Sequence, residues 1–181
     1  RGKVNATPNC LAYEAGADQV HGAMLGIGER VGNTPLDQML VNLKLLGVPG
    51  YVDRDLTRLK GCVGAVSGAV GMAIPPNYPV FGSDAFRTAT GVHAAAVIKA
   101  YRKNDPELAN RIYSGVPSHW FGLEQKIDIG PMSGRSNVVF WLEKHSLEPT
   151  DDRVGRIFTR AKQADRLLSE DEILEACEHK A

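Results

Sequence analysis

Apolar positions along the chain change their spacing several times, and each change marks an element. "DQVHGAML", Asp18 to Leu25, gathers Val20, Met24 and Leu25 in a run whose length suits a buried strand. A glycine-rich loop, "GIGERVGN", follows from Gly26 to Asn33. Leu36, Met39, Leu40, Leu43 and Leu46 then recur at the spacing of one helix face until Gly47 ends the run. Thr34 stands where an N-cap is expected, with Pro35 at the first helical position and Asp37 at the third. Ahead of the strand, "RGKVNATPNCLAYEAGAD" holds a short helical piece closed by Gly16. The opening fifth therefore predicts helix, strand, glycine loop, helix, one slice of an α/β fold.

Past "GVPGYVDRD" the pattern becomes helical and loop-linked, with a soft boundary near Val48 to Asp53 that separates residues 1–50 from 51–181. Leu56, Leu59, Val63, Val66 and Val70 form a helical stripe, weakened by Gly61, Gly64 and Gly68. Three prolines in "IPPNYPVFG" require an extended connection. "DAFRTATGVHAAAVIKAYRK" resumes as helix, and Asp105 before Pro106 caps a short turn. "QKIDI" reads as a strand and "SGRSNVVFWLEKHS" as a helix. Thr150 and Ser169 cap two final helices, the second with Glu172 at capping-box spacing.

Charge narrows the classes of partner. Lys plus Arg and Asp plus Glu both number 21 and cancel, so no basic field points to nucleic acid. The apolar runs fall far short of a membrane span, and no charged-then-apolar leader opens the chain. Cys10, Cys62 and Cys177 fit no zinc or disulfide spacing, which favours packing roles in a reducing cytoplasm. Asn5-Ala6-Thr7 matches a glycosylation sequon without the leader that would give it meaning.

The glycine loop has three readings. A phosphate cradle would use free amides at the helix start, but Gly26, Gly28 and Gly32 miss the dinucleotide spacing by one residue, no P-loop lysine follows, and Glu29 opposes an anion. A plain turn would use its glycines for positive φ, with Glu29 and Arg30 paired at the surface. In the third reading Asn33 offers an amide oxygen, a hard donor suited to a divalent metal that needs further ligands from elsewhere.

"GADQVHGAMLGIGERVGNTPLD" resembles the eighth strand and following loop of the 2-isopropylmalate synthase and homocitrate synthase family, whose run is glycine-any-glycine-Glu-Arg-any-glycine-Asn. Gly26 to Asn33 fits it at every fixed position. "FRTATGVHAAAV" resembles the family's segment with a working histidine, which falls on His93. "YSGVPSHWFG" resembles its tyrosine loop, at Tyr113, and "GPMSGRSNVVFWL" its Ser-Gly-Arg helix start, at Ser133 to Arg135. The resemblance implies an α/β fold: residues 1–50 as the last βα part of a metal-dependent TIM barrel, and 51–181 as mostly α, helical C-terminal subdomains.

What the family does sets the remaining expectations. It condenses acetyl-CoA with a 2-oxo acid in amino-acid biosynthesis. A divalent metal (Mg, Mn or Zn) chelates the 2-oxo acid, and thioester hydrolysis makes the step irreversible. The resemblance gives Asn33 the role of metal ligand, Glu29 and Arg30 that of bracing the loop, and His93 with Tyr113 that of proton transfer or hydrolysis. It also implies an intertwined homodimer with exchanged C-terminal helices.

There are two departures. Arg1-Gly2 would close a His-x-His…Asn-Asp-x-Gly metal motif whose histidines the chain lacks, along with most barrel strands. Arg87-Thr88-Ala89-Thr90 replaces the usual His-Lys before Gly91. The expected consequence is that the chain alone does not turn over acetyl-CoA. A homocitrate or citramalate synthase-type member, or a non-enzymatic helical assembly module, are the alternatives. The end at Ala181 leaves no room for a leucine-sensing regulatory domain, which favours the homocitrate-type member. His21 and His119 are expected to be structural, with His145 and His179 at helix ends.

Overall fold

The helical periodicities become helices, whereas the strand signals become very little. A computed structural model describes residues 7–178 and places eight α-helices among them: α1 Thr7–Glu14, α2 Leu36–Leu45, α3 Leu59–Val70, α4 Gly91–Arg102, α5 Pro106–Arg111, α6 Arg135–Lys144, α7 Asp151–Gln163 and α8 Glu170–Glu178. Two short strands, β1 Arg87–Thr88 and β2 Lys126–Ile127, pair in parallel. Arg1-Gly2, Asn5 and His179 lie outside the described residues.

The strand expected over Asp18 to Leu25 does not form. Ala23 makes one isolated parallel bridge with Pro35, and Met24–Gly26 closes into a 3₁₀ turn. A strand is stable only where neighbours complete its ladder. Among the described residues the segment beside it is the short run into α2, where the Ala23 amide donates to Thr34 and the Leu36 amide to Ala23. The βα unit is present in outline, with a bend in place of its strand. The strand expected over "QKIDI" survives as β2 alone, and the helix expected from Asp84 begins only at Gly91, because β1 intervenes.

By their contacts the described residues form two units: one runs to Phe86 and takes in Ser114–Glu124, and the other comprises Arg87–Tyr113 and the chain from Gln125 onward. In the first, Leu25, Val41, Leu56, Leu59, Val63, Phe81, Phe86 and Phe121 make the core. Phe81 meets Phe121 edge to face at 5.8 Å between centroids. The helical stripe read from Leu56 to Val70 buries only its first half, and Val70 is exposed. Cys10 is buried as expected, but Cys62 is exposed on α3, a correction, since its face of that helix meets no core side chain.

The start of α2 differs instructively from its expected cap. Pro35 rather than Thr34 is the N-cap, and no side chain caps it. Asp37 turns away from its own helix and is fully buried. Its Oδ1 accepts from the Leu25 amide at 2.8 Å and its Oδ2 from the Tyr78 hydroxyl at 2.9 Å. Burial, and then the neighbouring carboxylate, push the Tyr78 phenol up, which keeps it a donor.

In the second unit Ile129, Val138, Trp141, Leu142, Val154, Ile157 and Ile173 form one core, and Ala94, Val97, Ile98, Ala109 and Ile127 another. The caps fall where the sequence puts them. Asp105 accepts from the Leu108 amide at 2.9 Å. Thr150 faces the Arg153 amide, and Ser169 exchanges bonds with Glu172 as a capping box.

Asp37→Ala strands two donors inside the first unit, so a loss of about 2–4 kcal/mol is expected by urea denaturation, against about 1–2 kcal/mol for Tyr78→Phe. In the second unit the Arg166 guanidinium, and then the Ser169 amide, hold the Glu172 carboxyl at about 2 against an ordinary 4.5. A depressed folded-state value stabilises above the unfolded one and fades as pH falls through it. Glu172→Gln therefore melts below wild type at pH 7, and thermal scans should show the gap closing between pH 4.5 and 2.

Candidate functional site

The loop from Gly26 to Asn33 is closed by Asn33 itself. Its backbone amide donates to the Gly26 carbonyl at 2.8 Å, and its side-chain Nδ2 donates to the Ile27 carbonyl at 2.9 Å. The glycines are bare because that closure leaves no room. A Cβ on Gly26 would lie 2.8 Å from the Asn33 carbonyl oxygen, and one on Gly28 would overlap the Asn33 amide group. Gly26 and Gly32 also sit at φ of +68° and +92°. Two bonds and three glycines thus fix one asparagine.

With Nδ2 engaged, the Oδ1 of Asn33 has no partner among the described residues, and the residue is exposed. That is the chemistry of a single hard ligand. Among the described residues no three His, Cys, Asp or Glu side chains converge into a metal set, so the residues present do not by themselves make a metal site. Glu29 and Arg30 sit at the exposed tip of the loop, where Arg30 adopts a φ of +54°.

His93 and Tyr113 meet within the second unit. His93 is the third residue of α4, exposed at the end where the helix amides are free of a side-chain cap. Tyr113 follows α5, 63% exposed and in the left-handed region at φ +55°. Their rings stack at 4.0 Å between centroids with a tilt of 32°. Twenty residues separate them in sequence, and no spacing rule predicts the contact.

The three other histidines among the described residues are all exposed. His145 ends α6, with Nδ1 2.7 Å from the Trp141 carbonyl and its ring on the Trp141 indole. The His21 carbonyl accepts from the Asn9 side chain, and His119 sits in the 3₁₀ turn Ser118–Phe121. Sequence reasoning singles out Ser133 to Arg135 as a motif but gives no part to Asn137, which is fully buried one turn further on. Its signal is a polar residue on the inward face of an otherwise apolar helix run.

Known proteins are similar to this chain over most of its length. Residues 5–63 match the HMGL-like family. A homocitrate synthase, AksA, of Methanopyrus kandleri is 36% identical over 160 residues, covering 87% of this chain and 37% of the relative. An (R)-citramalate synthase of Aquifex aeolicus is 33% identical over 162 residues, 86% of this chain and 28% of the relative. A probable 2-isopropylmalate synthase of Methanopyrus kandleri is 33% identical over 164 residues, 87% of this chain and 30% of the relative. The chain thus spans about a third of the length of the curated relatives it matches. It belongs, as a partial region, to the HMGL-like family of 2-isopropylmalate, homocitrate and citramalate synthases.

Proposed function

We propose that this chain is the C-terminal part of an acyltransferase that condenses acetyl-CoA with a 2-oxo acid, as in 2-isopropylmalate synthesis, within amino-acid biosynthesis in the cytoplasm. The single observation that carries the reading is the pairing of His93 with Tyr113, two residues from separate family-like segments, in one exposed contact. Kinship with synthases named for three different products supports the class of reaction and leaves the 2-oxo acid open. Residues 1–50 would be the last part of the barrel and 51–181 the helical subdomains, in a homodimer that exchanges those helices.

The overall conversion consumes acetyl-CoA, the 2-oxo acid and water, and releases free CoA and a 2-hydroxy acid that carries one carboxylate more than the oxo acid. A base removes a methyl proton from the thioester, the carbanion adds to the keto carbon, and water cleaves the thioester. An imidazole can accept a proton at one ring nitrogen and donate from the other, which suits His93 to the proton transfers of the first or last step. The Tyr113 phenol is a donor to oxygen, and stacking on His93 keeps both groups on one exposed face. Asn33 would give one oxygen to a divalent metal whose other ligands lie outside the described residues, and Glu29 would brace that loop.

The test is thiol release from acetyl-CoA dependent on a 2-oxo acid, with oxoisovalerate, oxoglutarate and pyruvate each supplied. A polypeptide that joins this chain to the barrel segments of its relatives should be active, and residues 1–181 alone should not. In the active form His93→Ala should lower kcat about 100-fold or more and Tyr113→Phe about tenfold. Absence of any oxo acid-dependent release from the longer polypeptide leaves the helical assembly module as the reading.

A further inference from the structure

In the second unit two stretches of backbone approach with no side-chain bulk between them. β1 and β2 pair Arg87 with Lys126 and Thr88 with Ile127, and the Asp128 amide then donates to the Thr88 carbonyl at 3.0 Å. Beyond the strands the Gly91 amide donates to the Met132 carbonyl at 2.9 Å. A Cβ on Gly91 would stand 2.7 Å from the Gly134 nitrogen.

The turn between β1 and α4 is held from inside. The Ala89 carbonyl accepts from Ser133 Oγ at 2.7 Å and from Asn137 Nδ2 at 3.1 Å. The same Nδ2 reaches the Asp128 carbonyl at 3.1 Å, while Oδ1 of Asn137 accepts from the Gly134 amide at 3.2 Å. Ser133 Oγ also accepts from the Gly130 amide at 2.9 Å. One buried amide therefore ties the exits of both strands to the first turn of α6. A buried amide with both ends engaged has one orientation, and replacing it leaves carbonyls unpaired.

α4 begins two residues after Ala89, and His93 is in its first turn. We propose that Asn137, with Ser133, is a positioning residue for His93: by fixing the turn at Ala89 it sets where α4 starts and so holds the His93 ring on Tyr113. The importance of that stacking rests on the reading of His93 as a site residue, whereas the stacking itself does not. A role confined to capping α6 needs only the Oδ1 acceptor, and aspartate supplies that equally well. Asn137→Asp keeps size and acceptor but faces a carboxylate oxygen towards the Ala89 and Asp128 carbonyls.

The His93 ring protons, followed by NMR, report the stacking through the ring current of Tyr113, and Tyr113→Ala marks the unstacked position. Asn137→Asp should move the His93 signals most of the way to that position. Ile157→Val, a core change in α7 away from the turn, should leave them in place while lowering Tm. A lowered Tm in Asn137→Asp with His93 signals at their wild-type position overturns the proposal. Should Asn137→Asp not fold, Ser133→Ala removes one of the two donors to Ala89; a smaller displacement in the same direction is expected, and unmoved signals overturn the proposal. Failure of the site reading shows differently: His93→Ala leaves turnover of the longer polypeptide unchanged, while the His93 signals of the otherwise wild-type chain still move in Asn137→Asp.

Discussion

A carboxylate removed from water must be given donors, and Asp37 shows how far that demand reaches. Its two oxygens accept one hydrogen bond from the backbone of the 3₁₀ turn at Leu25 and one from the Tyr78 hydroxyl. Leu25 is a buried leucine in the left-handed region, a conformation that costs roughly 1–2 kcal/mol for a residue with a Cβ and persists only when its surroundings insist on it. The bond to Asp37 and the packing of Leu25 in the core supply that insistence. The turn at Leu25 in turn delivers the chain into the glycine loop, so the course of the loop descends from one buried charge at the start of α2.

The second unit solves a related problem with a neutral group. Where Asp37 gathers donors, Asn137 distributes them, giving two protons to carbonyls of different segments and taking one from a third. Each device ties segments distant in sequence together through a side chain near a helix start. Each also places an exposed polar group nearby, Asn33 in one unit and the His93–Tyr113 pair in the other.

Helices were legible in the sequence because periodicity and caps are local. Asp105, Thr150, Ser169 with Glu172, and the glycine stop after α2 all act where they were expected. The strand at Asp18 to Leu25 was not legible, because a strand is a property of its neighbours and a sequence window contains none of them. Thr34 misled for a related reason: a good capping residue was passed over once Asp37 found partners at Leu25 and Tyr78, contacts twelve and forty-one residues away. The proposed site residues divide the same way. His93, Tyr113, Glu29 and Asn33 were reachable through segments resembling a family, whereas Asn137 shows its purpose only when Ala89 and Asp128 are brought beside it.

The glycines between Leu25 and Asn33 carry a lesson about what a motif records. Each is small because another part of the same loop occupies the volume its side chain would need. A pattern of this kind is a negative image: it preserves a hollow into which one asparagine is folded back. Matching the pattern therefore detects the shape of a bend before it detects any chemistry. A protein could keep all three glycines, and keep the bend intact, long after the oxygen it displays had lost anything to bind.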